Sequence, residues 1–476
     1  MKQKHVFAIV AVIAALALAG LACGGGAAPT ETPVRAATKA PAPTATQAPK
    51  PTAKPTQAIA AGELVVVNQF LFKDSTGYFH IVGEVHNDTE KALTDVELTV
   101  EVKDKDGQTL LKDSSDGPAD TQTFSPLLYT LGPGETSPYD YYFFTEAGEP
   151  DQYAVTVTGQ RTGEVNRANL KVENAQLSSD GSGSLYLTGE LVNQGDQPVQ
   201  IHSLAGAVLD KDNSLVAANA YGPVSRYLLP TGDANQYDRT PFRVRMDDPG
   251  DVATQWATYW DADEVDPIDT YDINLDPQNN YFDTYSSLHL VGNVTNNSDQ
   301  TLSISLLAGI YADDGTVLDA DTWTAPFYLA PGESLPYSFD YFSSLNRNPD
   351  EANKASRSTV QVDPYWTSTT SFDFVPLETQ NDEGSLDGDE QDQIWKFSGE
   401  VANTSDEDLS SLLVVVGVYD GDNLVATNWT SVYPPEGQDT VAAGDTVPYE
   451  VTVYLDPNED GTKFTFQTFV QGNVQP

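Results

Sequence analysis

Cysteine is almost absent. Cys23 is the only one in 476 residues, so no intramolecular disulfide can form and stability has to come from buried apolar side chains. Positive charge is scarce as well: 24 Lys and Arg face 70 Asp and Glu, a formal net charge of −46. That balance excludes the basic face that phosphate neutralisation requires, and with it a nucleic-acid partner. Helical periodicity is missing, since no long segment between 62 and 476 repeats its apolar residues at the 3.6-residue spacing. Catalytic signatures are missing too: there is no HExxH, no GxSxG and no phosphate loop following a strand. Only five histidines occur, and His5 falls in the amino-terminal apolar leader. Paired carboxylates are suited in principle to glycoside hydrolysis, but beyond residue 61 the chain carries 69 acidic residues, enough for some to be close by chance.

What is present starts with Lys2 and Lys4, followed by an uninterrupted apolar run from Val6 to Ala22 and then Cys23. This reads as an export signal. The run is also about the minimum length for a retained membrane span, and the cysteine directly after it favours the signal. Gly20-Leu21-Ala22-Cys23 resembles the lipobox of bacterial lipoproteins, with Gly20 where that family usually has Leu. The resemblance implies a signal peptide over 1–22, lipidation of Cys23, and anchorage to the outer face of a bacterial cell membrane. A lipidated Cys23 leaves no nucleophilic thiol.

Residues 23–61 are nearly all Ala, Pro, Thr, Gly, Lys and Gln, as in KAPAPTATQAPKPTAKPTQ. Such a segment has too little apolar surface to offset its ordering entropy, and its prolines favour an extended, disordered spacer. Arg35, Lys39, Lys50 and Lys54 against Glu31 give the spacer a net +3. Beyond 61, 18 basic and 69 acidic residues leave −51. A cationic spacer beside anionic headgroups, with the anionic body held away from them, is electrostatically coherent.

The body writes one phrase four times: GEVHNDTEKAL at 83, GELVNQGDQPV at 189, GNVTNNSDQTL at 292 and GEVANTSDEDL at 399, at spacings of 106, 103 and 107 residues. Repeats this long are whole domains, not solenoid units. Three further markers recur in the same order. Acidic turns come first (DKDG at 104, DKDN at 210, DDG at 313, DGDN at 420). Proline-aromatic segments follow (FSPLLY at 124, YGPVSRY at 221, APFY at 325, SVYPP at 431), then a Gly-acid segment (LGPGETSPY at 131, LPTGDANQY at 229, LAPGESLPY at 329, VAAGDTVPY at 441). Residues leading into the phrase alternate with period two: Leu288, Leu290, Gly292 and Val294 share one face, as do Trp395, Phe397, Gly399 and Val401. This predicts a strand with one buried side. Glycine on the apolar side makes room for a bulky neighbour or marks a bulge, and Asn87, Asn193, Asn296 and Asn403 close the strand by bonding nearby backbone. On the other face His80, Tyr186, His289 and Lys396 occupy one position, which the alternation assigns to solvent.

Short strands, turn signals every 8 to 12 residues and about 103 residues per unit point to an all-β fold of four tandem immunoglobulin-like β-sandwiches. Gly-x-Val-x-Asn, an acidic turn, and Pro-Gly-Glu before an aromatic strand resemble the FxLYD-type immunoglobulin-like domains of prokaryotic exported proteins. That resemblance covers 62 to 476 as four copies and implies no catalytic residues. The expected units are 62–163, 164–268, 269–369 and 370–476. The second departs most, with Gly-Asp for Gly-Glu and Gln236 for the proline.

Two constellations are candidate binding sites. Tyr129, Tyr227, Tyr328 and Tyr433, with Trp323 and Trp429, sit in or near the proline-aromatic segments, where exposed rings would stack on sugars or peptides. Rings packed inward behind an edge-protecting proline are the plainer expectation. The acidic stretch NDEGSLDGDEQD at 381–392 offers Asp387 and Asp389 as oxygen ligands for Ca²⁺. It does not match an EF-hand loop, and Asp and Gly at hairpin turns need no metal. No other metal and no cofactor is expected. The sequence as a whole indicates a lipid-anchored, surface-displayed binding, adhesion or envelope-structural protein without catalytic activity, whose partner is an unidentified protein or glycan. A carbohydrate-binding accessory lipoprotein and a calcium-rigidified adhesin are the alternatives. A transporter's substrate-capturing lipoprotein would be α/β and two-lobed.

Overall fold

The structure is a computed structural model describing residues 63–474, apart from 115–116, 233–236, 251, 277, 347, 371, 388–391 and 436. The leader 1–22, Cys23, the spacer 23–61 and Asp389 lie outside the described residues.

The described chain is all-β and every strand pair is antiparallel. In the first repeat a front sheet joins Leu64–Lys73, Phe79–Asn87 and Thr136–Phe143. A back sheet is built around Leu93–Lys103, with Gln122–Phe124, Thr130–Leu131 and Gln152–Thr162. The pattern recurs. The second front sheet is Leu170–Ser179, Ser184–Asn193 and Arg239–Asp247, and its back sheet centres on Val199–Leu209. The third places Leu288–Asn296 between Ser334–Phe339 and the split strand Ile273–Leu275 and Asn279–Phe282, with Leu302–Ala312 central behind it. The fourth pairs Thr379–Leu386, Ile394–Ala402 and Thr446–Tyr454 in front of Leu409–Asp420 and Thr465–Val474. The one α-helix among the described residues is the single turn Pro349–Ala352. No described helix is long and apolar enough to cross a membrane.

The repeated phrase encodes three devices. Its glycine lies directly opposite an aromatic residue of the neighbouring strand: Gly83 faces Tyr139, Gly189 faces Phe242, Gly292 faces Tyr337 and Gly399 faces Tyr449. The ring folds over the glycine, so a Cβ there would meet ring atoms closer than 3.0 Å, and any larger residue has to push the ring out of the core. Its asparagine is fully buried in all four repeats. Asn296 Nδ2 donates to the carbonyls of Gln300 at 2.8 Å and Leu329 at 2.7 Å, while its Oδ1 accepts from Ser298 N at 3.0 Å. Asn87, Asn193 and Asn403 make the same pair of donations, to Lys91 and Leu131, to Gln197 and Leu229, and to Glu407 and Val441. One amide thus fastens the end of its own strand to the Gly-acid segment some 35 residues later, where Gly134, Gly232, Gly332 and Gly444 take positive φ. Two of the four sequence markers are therefore two halves of one clamp. The third device is a bulge in the first strand of the front sheet, where Asn68, Asn174 and Asn381 take positive φ. They donate to the phrase's acid, at 2.6 Å to Glu84, 2.7 Å to Glu190 and 3.0 Å to Glu400.

The expectation of a solvated outer face is overturned in three repeats. His80, Tyr186 and His289 are buried, with His80 only 3% exposed, because the front sheet of each of the first three sandwiches is covered by the next sandwich. Phe72 and Val82 of the first pack with Ala207, Leu215 and Ala218 of the second. Tyr281 and Val291 of the third join the core of the fourth, and Val415 of the fourth joins that of the third. Several polar groups at these junctions are paired across them. Thr188 Oγ1 donates to Val317 O at 2.6 Å, and Gln471 exchanges two 2.9 Å bonds with the backbone of Tyr328. Arg243 donates to the fully buried Asp319 at 2.8 Å.

Candidate functional site

The aromatic residues singled out in the sequence do not form one row. Tyr227 is buried, and its hydroxyl accepts from Ile268 N at 3.1 Å. Tyr328 is half-buried against Phe372 and Phe374. Tyr129 and Tyr433 are 67% and 71% exposed and belong to the first and fourth repeats.

Trp323 and Trp429 are brought together. They line a groove of about 150 Å³ where the outer face of the third front sheet meets the fourth sandwich. Trp429 sits on Asn423–Val432, next to Asn428, which orients the backbone by accepting from Trp429 N at 2.8 Å and donating to Thr452 O at 2.8 Å. Trp323 is on Val317–Leu329, its ring tilted against the core ring of Tyr337 with centroids 5.8 Å apart. Tyr341, which sequence reasoning missed, completes the aromatic wall and is largely exposed. The polar lining comes from Asp321, Asp340 and Thr427.

Asp321 is the electrostatic feature of this groove. Burial drives its carboxyl up to about 7, against the charge of Arg243 and the backbone N–H groups of Thr322 and Tyr341, which favour the anion. Oδ1 accepts from Thr322 N at 2.9 Å and Oδ2 from Tyr341 N at 3.1 Å. Asp321 thus holds the start of the Tyr341 loop against the Trp323 strand. Flat rings beside hydrogen-bonding polar groups are the usual composition of a saccharide subsite.

The calcium candidates fare differently. Asp387 is engaged by Lys396, whose Nζ lies 3.3 Å from Oδ2 and also 3.6 Å from Glu450. An ammonium thus occupies the side of Asp387 that faces the sheet. The acidic turns are closed by their own backbone, as where Asp104 Oδ1 accepts from Asp106 N and Gln108 N at 2.9 and 2.8 Å.

No family model matches the chain, and no curated protein matches it. Among solved structures, the trimeric ectodomain of the C. elegans fusion protein EFF-1, truncated at its carboxyl terminus, is similar at 5% identity with a TM-score of 0.13, over 64% of this chain and 93% of that chain. The native conformation of E. coli alpha-2-macroglobulin is similar at 9% identity with a TM-score of 0.12, over 87% of this chain and 27% of that chain. Superpositions this poor transfer neither topology nor activity.

Proposed function

We propose that this chain is a non-catalytic, lipid-anchored protein displayed on the outer face of a bacterial cell membrane, where four immunoglobulin-like sandwiches serve as a binding or envelope-structural body. The observation that carries the reading is the coverage of three front sheets by the following sandwich, with shared apolar clusters and buried polar pairs. Independent binding modules on flexible joints would keep those faces polar and solvated. Sandwiches fused through them suit a role in which spacing and orientation matter. Anchorage rests on Cys23 and its apolar leader: Cys23→Ser removes the acyl chains and releases the body from the membrane fraction. A variant held as firmly as the parent refutes the lipoprotein reading.

A second reading, that the body binds carbohydrate, is favoured by the Trp323, Trp429 and Tyr341 groove. Trp429 is about half exposed, so Trp429→Ala leaves folding intact while removing a stacking surface. The test is retention of the purified protein on immobilised cell-envelope polysaccharides, with Trp429→Ala and Tyr341→Ala abolishing it. Retention that survives both substitutions excludes the groove as the site.

A further inference from the structure

Where the first sandwich meets the second, three side chains converge on one point. His80 projects from the outer face of Phe79–Asn87, and Asp74 starts the hairpin before it. Asp247 ends Arg239–Asp247 of the second sandwich. His80 is nine-tenths buried and more, its ring stacked on Phe72 with centroids 4.7 Å apart. Its Nδ1 is engaged by both oxygens of Asp140, at 3.0 and 2.9 Å. Its Nε2 has no hydrogen-bond partner and points between Asp74 Oδ2 at 3.6 Å and Asp247 Oδ2 at 3.7 Å.

We propose that Asp74, His80 and Asp247 form a divalent transition-metal site of the zinc type that bridges the first two sandwiches, with Asp140 as the carboxylate that orients the imidazole.

Four observations support this. The three donor atoms lie within 4.8 Å of one another, the one such His and carboxylate trio among the described residues. The separations of 3.6 and 3.7 Å from Nε2 are too long for hydrogen bonds. They lie at and just beyond the ligand-to-ligand distance of roughly 3.3–3.6 Å that tetrahedral bonds of about 2.0–2.2 Å would set, so a small inward shift of Asp247 completes the fit. A carboxylate on the far nitrogen of the ring is the usual outer-shell partner of a metal-bound histidine, fixing the tautomer that leaves Nε2 free to ligate.

Charge balance points the same way. Asp74, Asp140 and Asp247 bring three negative charges to the site, with one nearby guanidinium, Arg245, 3.8 Å from Asp247 Oδ1. A neutral imidazole and a dication then bring the cluster to neutrality, whereas a protonated imidazole alone leaves it negative. The field of these carboxylates attracts a metal ion. Asp74 is shaped beforehand: its Oδ1 accepts from Thr76 N and Tyr78 N, at 2.9 and 2.8 Å, and Oδ2 also accepts from Thr76 Oγ1 at 2.8 Å. Asp247 keeps 31% of its side chain accessible, which gives an ion a way in.

The third repeat supplies an internal control. His289 holds the same strand position, stacked on Tyr281 at 4.9 Å, and the hairpin carboxylate Asp283 is again in place. There Nε2 bonds directly to Asp283 Oδ2 at 3.0 Å, and Ser338 stands where the first repeat has Asp140. The same two residues close on each other when the orienting carboxylate is missing, and remain apart when it is present. The ligand class is set by the donors: an imidazole nitrogen with two carboxylate oxygens suits Zn²⁺ and its first-row neighbours, and not Ca²⁺, which takes oxygen ligands.

The test uses the full chain stripped with a chelator and titrated with Zn²⁺ by calorimetry, with Co²⁺ absorption as a reporter of coordination number. One equivalent binds, the melting temperature rises with saturation by mass action, and bound Co²⁺ shows a tetrahedral spectrum. Asp140→Asn weakens binding about 10- to 100-fold. Asp247→Asn, at a partly exposed position, weakens it at least comparably, and a melt of the same variant without metal separates lost ligation from lost fold. Binding that never saturates at one equivalent, affinity unchanged by Asp247→Asn, or displacement by an equal concentration of Ca²⁺ overturns the proposal.

Discussion

Asn296 offers the most searching perturbation of the fold, because one buried amide makes every bond it is able to make. Replacing it with Ala removes two donations, to Leu329 O and Gln300 O, and two acceptances, from Ser298 N and Ser298 Oγ. Gln300 is exposed and Ser298 half-buried, so water takes over at those groups and each lost bond costs about 1 kcal/mol. Leu329 is buried, so water does not replace the donor its carbonyl loses, a further penalty of about 1–3 kcal/mol. The sum is a loss of roughly 4–6 kcal/mol. Asn296→Asp is nearly isosteric but turns the donor into an oxygen facing two carbonyl oxygens, and at neutral pH it buries a charge as well.

The aspartate variant is therefore less stable than the alanine variant at pH 7. It recovers relative to it on acidification, because burial raises its folded pKa: the protonated form's stability is complete below the ordinary aspartate value and is lost as pH rises through the folded one. Amide hydrogen exchange across residues 288–339 reads the opening free energy of the third sandwich without requiring the whole chain to unfold in one step. An alanine variant within about 1 kcal/mol of the parent, or an aspartate variant no worse than alanine at pH 7, refutes the clamp.

Arg243→Met removes the cation from Asp319 and leaves a buried carboxylate satisfied only by Ala320 N, Ser344 and Leu345 N. It lowers stability by about 3–5 kcal/mol, and adding Asp319→Asn restores part of that, as measured by exchange at the junction of the second and third sandwiches. Gly292→Ala drives a methyl group against the Tyr337 ring and costs about 1–3 kcal/mol; Tyr337→Phe, which deletes a buried hydroxyl with no hydrogen-bond partner, recovers part of this in denaturant midpoints. Burial raises Asp321 from 3.8 to about 7, so folding takes up a proton between those values. The parent accordingly loses stability as pH rises from 4 to 7, by up to roughly 1.4 kcal/mol per pH unit. Asp321→Asn flattens that slope, and equal slopes in calorimetric melts of the two proteins rule the assignment out.

Much of the fold was legible because it is local. Alternation at Leu288, Leu290 and Val294 located a strand and its buried face, while the repeated glycine left a bulky neighbour and a bulge both open, and the aromatic ring opposite it decides for the first. The sequence also hid things. Asn296 and Leu329 stand 33 residues apart, and their connection is made only when the Gly-acid loop closes over the strand. The metal cluster draws Asp247 from a different repeat than His80, so spacing along the chain carried no trace of it. Alternation continues through Tyr337, Phe339 and Tyr341, but the strand ends at Phe339 and Tyr341 is exposed beyond it, in a groove that belongs to two repeats.

The mistaken assignment of the outer face was nonetheless correctable from sequence. Along the central front strands the outward positions read His80, Val82 and Glu84 in the first repeat, Tyr186, Thr188 and Glu190 in the second, and His289, Val291 and Asn293 in the third. The fourth reads Lys396, Ser398 and Glu400. Valine has no reason to stand at a solvated position with period two on both sides, and Val82 and Val291 are indeed fully buried, each under the following sandwich. The fourth strand alone pairs a lysine with serine and glutamate, and there Ser398 and Glu400 are exposed. Stacked repeats require this asymmetry: a unit that receives a neighbour has to offer an apolar face with pairable polar groups, and a unit that receives none has to offer charge. Glu84 and Glu190 are the pairable groups, accepting from Tyr259 at 3.0 Å and Tyr311 at 3.1 Å of the next sandwich. Those two glutamates bond across the junction, whereas His80 and His289 bond to carboxylates of their own sandwiches.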